Sequence, residues 1–528
     1  MKKFASSVAL CLVVLMSHAQ DYAPAARKLQ TALLAVNMLY VDSVDNEKMV
    51  TEAVRAMIKQ LDPHSDYMTK EEVDEMNEPL QGGFDGIGIS FNMMNDTLFI
   101  VEVINGGPSE KTGLLAGDRI LRVDGEPIAG VKMSSKEVMK RLKGPKGTKV
   151  TVSVKRRNTP GLIDFTITRG KIPMYSLDAA FMVAKTVGYI KLNRFSTTTL
   201  DEFLSAVSEL KKSGMTQLIL DLQSNGGGIM GAAVDLADQF LGDGKCVVYT
   251  EGLHSAREQY DATARGAFEA GNLVILIDEY SASSSEIVTG AVQDWDRGLV
   301  IGRRSFGKGL VQRPVPLGDG SVLKLTVSRY YTPSGRCIQR PYEGGDQVSY
   351  GRDLVERYNR GEMLSADSIH FPDSLKCYTL TQHRTVYGGG GIMPDIFVPV
   401  DTSRVTSLHR NLVYKGILNR FTLQYVDDNR AALKQQYPTD DDFVARFEAD
   451  STVLEQMFRL AAAEKYEVTE ADRASDMSFL KLQVKAYIAR DIYQTASFYK
   501  VMQVENEALQ EAVRVLADRK LKAKYGLK

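Results

Sequence analysis

The sequence predicts an α/β core preceded by a small β-rich unit and bounded at both ends by helical text, and three observations carry that reading. Between residues 171 and 400, short apolar runs alternate with amphipathic segments: Val187 to Leu192, Leu200 to Leu210, Leu218 to Leu222, a helical stretch through Val234, Leu236 and Phe240, then strands from Cys246 to Thr250 and Leu273 to Ile277. Such alternation implies a mostly parallel sheet, with chemistry at the carboxyl ends of its strands. Between residues 82 and 170 the pattern shortens to strands broken by turns, while residues 20–80 and 401–528 read as helix.

The first residues bear on location. Lys2 and Lys3 precede an apolar stretch from Ala5 to Met16, and Ser17-His18-Ala19 follows, the pattern of a secretory signal (residues 1–19) cleaved after Ala19. The stretch is shorter than the roughly 18 apolar residues a spanning helix needs. The expectation is an exported protein, periplasmic or otherwise extracytoplasmic, with membrane association through an uncleaved anchor as the alternative. Of 65 basic residues, losing Lys2 and Lys3 leaves 63 against 66 acidic ones. So balanced a charge gives no reason to expect a nucleic-acid or membrane-surface partner. Cys11 lies in the apolar stretch, and the other cysteines, Cys246, Cys337 and Cys377, are widely spaced and odd in number. They fit neither a disulfide framework nor a CxxC metal site. No metal or cofactor is implied.

In the N-terminal region, Leu29, Leu33, Leu34, Val36 and Leu39 recur near helical spacing, as do Val54, Met57 and Ile58, before Leu61-Asp62-Pro63-His64-Ser65 stops the helix. A helical cap or dimerisation element is the simplest reading, so a homo-oligomer, in its simplest form a dimer, is expected. His64 reads as a satisfied turn residue rather than a metal ligand. Next, Gly86-Ile87-Gly88-Ile89 opens a series of strands at Leu98 to Val103, Arg119 to Val123 and Val150 to Val154, with a short helix from Ser134 to Leu142 that sets Val138 and Leu142 on one face. This order resembles a PDZ domain, with Gly86 to Ile89 as its carboxylate-binding loop. Glycines let successive N–H groups turn toward a terminal carboxylate while an open sheet edge accepts the peptide as an added strand. Beyond Asp401 the charged helical text carries one apolar stripe, Phe443, Phe447, Leu454, Met457 and Leu460, and no catalytic motif.

The chemistry concentrates in the core. Ser283 lies in SASSSE (281–286), just after the apolar run LVILI (273–277), at a strand-to-helix turn. With Glu286 three residues on, it fits a capping box. A serine at a helix N-terminus also meets the positive end of the macrodipole and the amide of Ser284, an oxyanion donor. Gly227, at a neighbouring strand end, is either the second donor or a plain turn glycine. Lys308 follows Ser283 by 25 residues, in FGKGLVQ (306–312). Lowering a lysine from ~10.4 to about 7–8 for general-base duty requires about 4 kcal/mol. Burial supplies that, and Phe306, Leu310 and Val311 are the local apolar candidates. Gln312 can orient Lys308 only if the chain bends, since four residues of straight strand span about 13 Å. Asp294, on the same helix as Ser283, reads as a supporting carboxylate or, by preference, a surface residue.

LDPHSDY (61–67), the GIGI region, YIKLNRF (189–195), LILDLQSNGGG (218–228), SASSSEI (281–287), GKGLVQ (307–312), RYYTPSGR (329–336) and GGGIMPD (389–395) stand in an order that resembles the carboxyl-terminal processing peptidases, or tail-specific proteases. The resemblance covers roughly residues 30–400. It implies a ClpP/crotonase-like protease core (171–400) with an inserted PDZ domain (82–170), an N-terminal helical cap (20–80) and a C-terminal helical domain (401–528) to which it gives no role. It further implies Ser283 as nucleophile, Lys308 as base, Gln312 as its orienting partner, Gly227 and the Ser284 amide as the oxyanion hole, and C-terminal tails of protein substrates as partners. The family usually carries Arg and Pro where this chain has Gln223 and Gly226, a departure that bears on the rigidity of the oxyanion loop, and Tyr342 to His383 reads as an insertion. Two other functions compete: a non-catalytic tail-binding scaffold whose serine merely caps its helix, and, by fold analogy alone, an acyl-CoA enzyme. On the peptidase reading, tail binding at Gly86 to Ile89 would reposition the PDZ domain and align Lys308 with Ser283.

Overall fold

The computed structural model describes residues 22–527 except 95, 105, 158, 404 and 476, so the predicted signal segment lies outside the described residues. At the centre is a six-stranded sheet in the order Leu177–Ala184, Val187–Leu192, Gln217–Asp221, Asn272–Ile277, Leu299–Gly302, Ile396–Phe397. The first pair is antiparallel and the others are parallel. Every residue of Val187–Leu192 and Asn272–Ile277 is buried, which is why these strands read as continuous apolar runs. Alternate residues serve opposite faces. Leu218, Leu220 and Ile275 pack against Phe203, Leu236 and Val288 of the helices Thr199–Lys212, Met230–Asp238 and Ser284–Asp294. Ile219, Val274 and Leu276 meet Leu509, Ala512 and Leu516 of the helix Glu507–Ala517.

Cys246–Gly252, which the sequence places among the alternating core elements, departs from the parallel sheet. It belongs to a separate five-stranded sheet with Asp66–Met68, Ser255–Asp261, Leu310–Pro316 and Val322–Tyr331, all paired antiparallel. Largely exposed text such as SAREQYD (255–261) lacks the apolar run that marks a buried strand, so this pairing is silent in the sequence.

The β-rich unit has its own six-stranded sheet, Ile89–Met94, Thr97–Val103, Arg119–Val123, Lys149–Lys155 and Ile163–Thr168 in order, with Glu126–Pro127 beside Arg119–Val123. Val150, Val152 and Val154 point inward as their alternation predicts. Among the described residues, Ile89–Met94 has a neighbour on one side only. The strands leading in and out of the unit, Gly83–Gly86 and Gly170–Pro173, pair with each other and form a stem.

At the N-terminal side lie the helices Ala23–Leu39, Asn46–Ile58 and Lys70–Asn77. The C-terminal text falls into two parts. Residues 408–502 close around their own core, which includes Phe443, Phe447, Leu454 and Met457 of the predicted stripe, whereas Glu507–Ala517 returns to the central sheet.

Candidate active site

Ser283 occupies the turn between the strand Asn272–Ile277 and the helix Ser284–Asp294. Its backbone angles, φ 55° and ψ −113°, lie where L-residues rarely go, a strain of about 1–3 kcal/mol that the surrounding contacts must hold. Every residue of the helix it precedes is buried, while Ser283 keeps partial exposure. Ser283 donates its N–H to Glu286 Oε2 at 2.8 Å, and Glu286 N–H goes to the Ser283 carbonyl at 2.8 Å, so the two residues clasp across the first turn of the helix as the capping box predicts. Ser283 also lines a cavity of about 660 Å³ shared with Lys308 and Gln312 and walled by Met68, Met76, Ile229 and Leu310.

Glu286 joins the two halves of this site. Fully buried, it accepts from the N–H of Ser283 (2.8 Å), the hydroxyl of Ser305 (2.5 Å), and the N–H groups of Gly307 (2.7 Å) and Lys308 (2.9 Å). Burial pushes its carboxyl up to about 7 against the pull of those same bonds. Sequence reasoning saw only its local capping role; the reach to residues 305–308 carries no sequence signal.

Lys308 is where the depressed amine was expected. Burial first, and then the positive charge of Lys324, bring it down to about 8, with Glu286 and Asp62 opposing. Among the described residues its Nζ has no hydrogen-bond acceptor. Leu310 and Val311 line the cavity as predicted, but Phe306 does not; its ring holds the Arg340 guanidinium, 4.0 Å from the centroid. Arg340 also stacks on Tyr350 at 3.8 Å, and the Tyr350 hydroxyl lies 2.9 Å from His64 Nε2. Burial and then the Lys308 charge depress His64 to about 4, so it is neutral beside the lysine at neutral pH. Tyr350 comes from the segment read as an insertion. The bend required between Gly307 and Gln312 is a register shift at Val311/Gln312 in the hairpin.

On the opposite wall, Gly227 has φ +98°, and a Cβ there would sit 2.8 Å from Ala282 O and 3.0 Å from Ser284 N. Only glycine fits so close to the serine turn. Its N–H is turned to Asn225 Oδ1 at 2.9 Å, leaving the Ser284 amide as the one of the two predicted donors with no acceptor among the described residues. Buried Asn225 also donates to Leu192 O (3.0 Å) and accepts from Ala282 N–H (3.0 Å) and the Ser285 hydroxyl (2.8 Å). Gln223 is held on three sides. Its N–H bonds Asp221 (2.8 Å), its carbonyl accepts from Lys191 Nζ, and its side chain accepts from Asn506 (2.8 Å). Asp294 is a correction to the preferred reading: it is fully buried and paired with Arg336 at 2.7 Å, because its helix has no solvent face.

In the β-rich unit, Gly86, Ile87, Gly88, Ile89 and Leu142 line a small groove with Met139 and Lys143. Val138 does not. It is wholly buried in that unit's core, and its neighbour Met139 faces the groove.

A serine at a strained turn and a buried, depressed lysine line one cavity. The peptidase family S41 profile matches residues 186–345, a PDZ domain profile matches residues 86–167, and a family of unknown function matches residues 408–494. A carboxy-terminal-processing protease of Bartonella bacilliformis is 35% identical over 58% of this chain and 70% of its own length. CtpA-like serine proteases of Staphylococcus aureus are 35% identical over 59% of this chain, which spans 62% of theirs. Among solved structures, the photosystem II D1 C-terminal processing protease is 25% identical, covers 71% of this chain and 88% of its own, and gives a TM-score of 0.35. On the sequence matches, the chain belongs to peptidase family S41, the carboxy-terminal-processing proteases, and is a serine peptidase carrying a PDZ domain.

Proposed function

We propose that this chain is an exported Ser-Lys endopeptidase with a ClpP/crotonase-like core, capped by N-terminal helices and extended by C-terminal ones. It captures the free C-terminal tail of a protein substrate at the PDZ groove and hydrolyses peptide bonds in the 660 Å³ cavity. The observation that carries this reading is Glu286 holding the backbones of Ser283 and Lys308 at one cavity while Lys308 is depressed to about 8. The neutral Lys308 amine takes the proton of the Ser283 hydroxyl as its oxygen attacks the substrate carbonyl. The Ser284 amide, joined by Gly227 once its N–H leaves Asn225, holds the oxyanion. The ammonium then protonates the departing amine, and water, activated by the same lysine, releases the acyl group. The cavity that Ser283 shares with Lys308 and Gln312 favours this over the scaffold reading, in which the serine would need no such neighbours.

The open edge of Ile89–Met94 and the glycines before it suit strand addition by an extended tail. A peptide substrate with a free C-terminal carboxylate should therefore be cleaved with a KM roughly tenfold below that of its amidated twin, and Ser283→Ala should cleave neither. Equal KM values, or an active Ser283→Ala enzyme, would remove one half of the proposal each.

A second copy of the chain is the natural partner for the helix Ala23–Leu39, which buries none of its residues yet exposes Leu34, Met38 and Leu39. Leu34→Asp with Met38→Asp should turn a dimer into a monomer by sedimentation velocity. A monomeric wild-type protein would end that idea.

A further inference from the structure

Gln312 and Thr326 face each other across the hairpin, and the direction of the hydrogen bonds behind them settles which end of the Gln312 amide points where. Asp62 is 5% exposed. Its carboxylate accepts from the N–H of His64 (2.8 Å), the N–H and hydroxyl of Ser65 (2.9 and 2.5 Å) and the hydroxyl of Thr326 (3.0 Å). Burial would raise its pKa, but the Ser65 and His64 bonds outweigh it and hold the carboxyl below its usual value, so it is ionised at neutral pH. An ionised carboxylate has no proton to give. The single proton of Thr326 is therefore spent on Asp62, and the threonine can offer Gln312 only a lone pair. The amide must answer with its NH₂, and Gln312 Nε2 donates to Thr326 Oγ1 at 3.1 Å. Ser65 locks the same register from the backbone, accepting the Thr326 N–H at 3.0 Å.

We propose that Asp62, Ser65 and Thr326 are positioning residues which fix the Gln312 amide so that its oxygen, and not its NH₂, is left free for the Lys308 amine in the cavity they share. A neutral amine has two N–H donors and one lone pair. An acceptor fixed on one N–H stops the amine from spinning and leaves its lone pair for the Ser283 proton. A flipped amide would present NH₂ to the amine instead, and the lone pair would be turned away from the serine. The role of the Asp62-Pro63-His64-Ser65 turn is thus to set polarity at a residue 250 positions later in the sequence, acting through Thr326 and never touching substrate.

This inference rests on the Ser283/Lys308 reading, and the test separates the two. Thr326→Val keeps the shape and removes the hydroxyl. Its kcat on a fluorogenic peptide should fall roughly 10–100-fold with KM nearly unchanged, and the inflection of its pH–rate profile should move. Thr326→Ser, which restores donor and acceptor, should recover the wild-type profile. Ser65→Ala, which removes one anchor of Asp62, should lower kcat in the same direction and decides the matter if Thr326→Val does not fold. Wild-type kcat and pH profile in Thr326→Val or Ser65→Ala, alongside inactive Ser283→Ala and Lys308→Met, would overturn the relay alone. Activity in Ser283→Ala or Lys308→Met would overturn the reading beneath it.

Discussion

Lys308→Met should lower peptide hydrolysis by roughly 10³-fold or more while making the folded protein more stable at neutral pH. Methionine keeps an unbranched apolar stem for the cavity wall but has no amine. The gain in stability follows from the lysine's pKa, about 8 in the fold against 10.5 for the free group. Between those values the unfolded chain binds more protons than the native one, so native stability rises with pH from 8 to 10.5. Below 8 the full deficit, about 3 kcal/mol, is present. Thermal unfolding at pH 7 should therefore show a higher Tm for Lys308→Met, a result opposite to that of ordinary core damage. In the wild-type enzyme only the neutral amine is a base, so kcat/KM should rise about tenfold per pH unit below the inflection near 8 and level above it. Removing the positive charge at Lys324, which helps to depress the amine, should carry that inflection upward. A Lys308→Met enzyme within tenfold of wild-type activity would rule lysine out as the base.

Glu286→Ala should be the most destabilising single change at the site. It orphans the N–H groups of Ser283, Gly307 and Lys308 and the hydroxyl of Ser305 inside a fully buried pocket. Unsatisfied buried donors cost about 1–3 kcal/mol each, and with partial relaxation a total loss of about 3–5 kcal/mol is expected in urea unfolding. Molecules that still fold should fail to label with a fluorophosphonate, because the serine turn and the lysine loop lose their common anchor. The pH signature is distinct. With a folded value near 7 against 4.5 in the free group, Glu286 adds stability that is complete below 4.5 and lost as pH rises through 7. That decline should vanish in Glu286→Ala. If the variant unfolds at the wild-type urea midpoint and labels normally, Glu286 does not hold the site together.

The strands of the central sheet were legible because burial on both faces writes them as unbroken apolar runs, and Ser283 and Lys308, which line one cavity, stood out because each lies beside its own local signal, a strand-to-helix turn and flanking glycines. What stayed hidden is non-local. The bond from Thr326 to Asp62 spans 264 positions, and nothing in either neighbourhood announces the other. Glu286 looked like a helix cap since its capping contact is local, whereas its longer reach depends on how the chain returns. Asp294 was misread because eleven residues of helix without a solvent face offer no polar stripe by which to sort inward from outward. Val138 and Met139 differ by one position on a short helix, a rotation that periodicity alone does not settle.

The helix Glu507–Ala517 closes the far face of the central sheet, and Asn506 just before it grips Gln223 beside the glycine loop. A ribosome makes that helix after everything else the sheet requires. Ile219, Val274 and Leu276 are covered from that side by a segment far downstream of Lys308, so a chain can hold both Ser283 and Lys308 and still lack a finished scaffold for them.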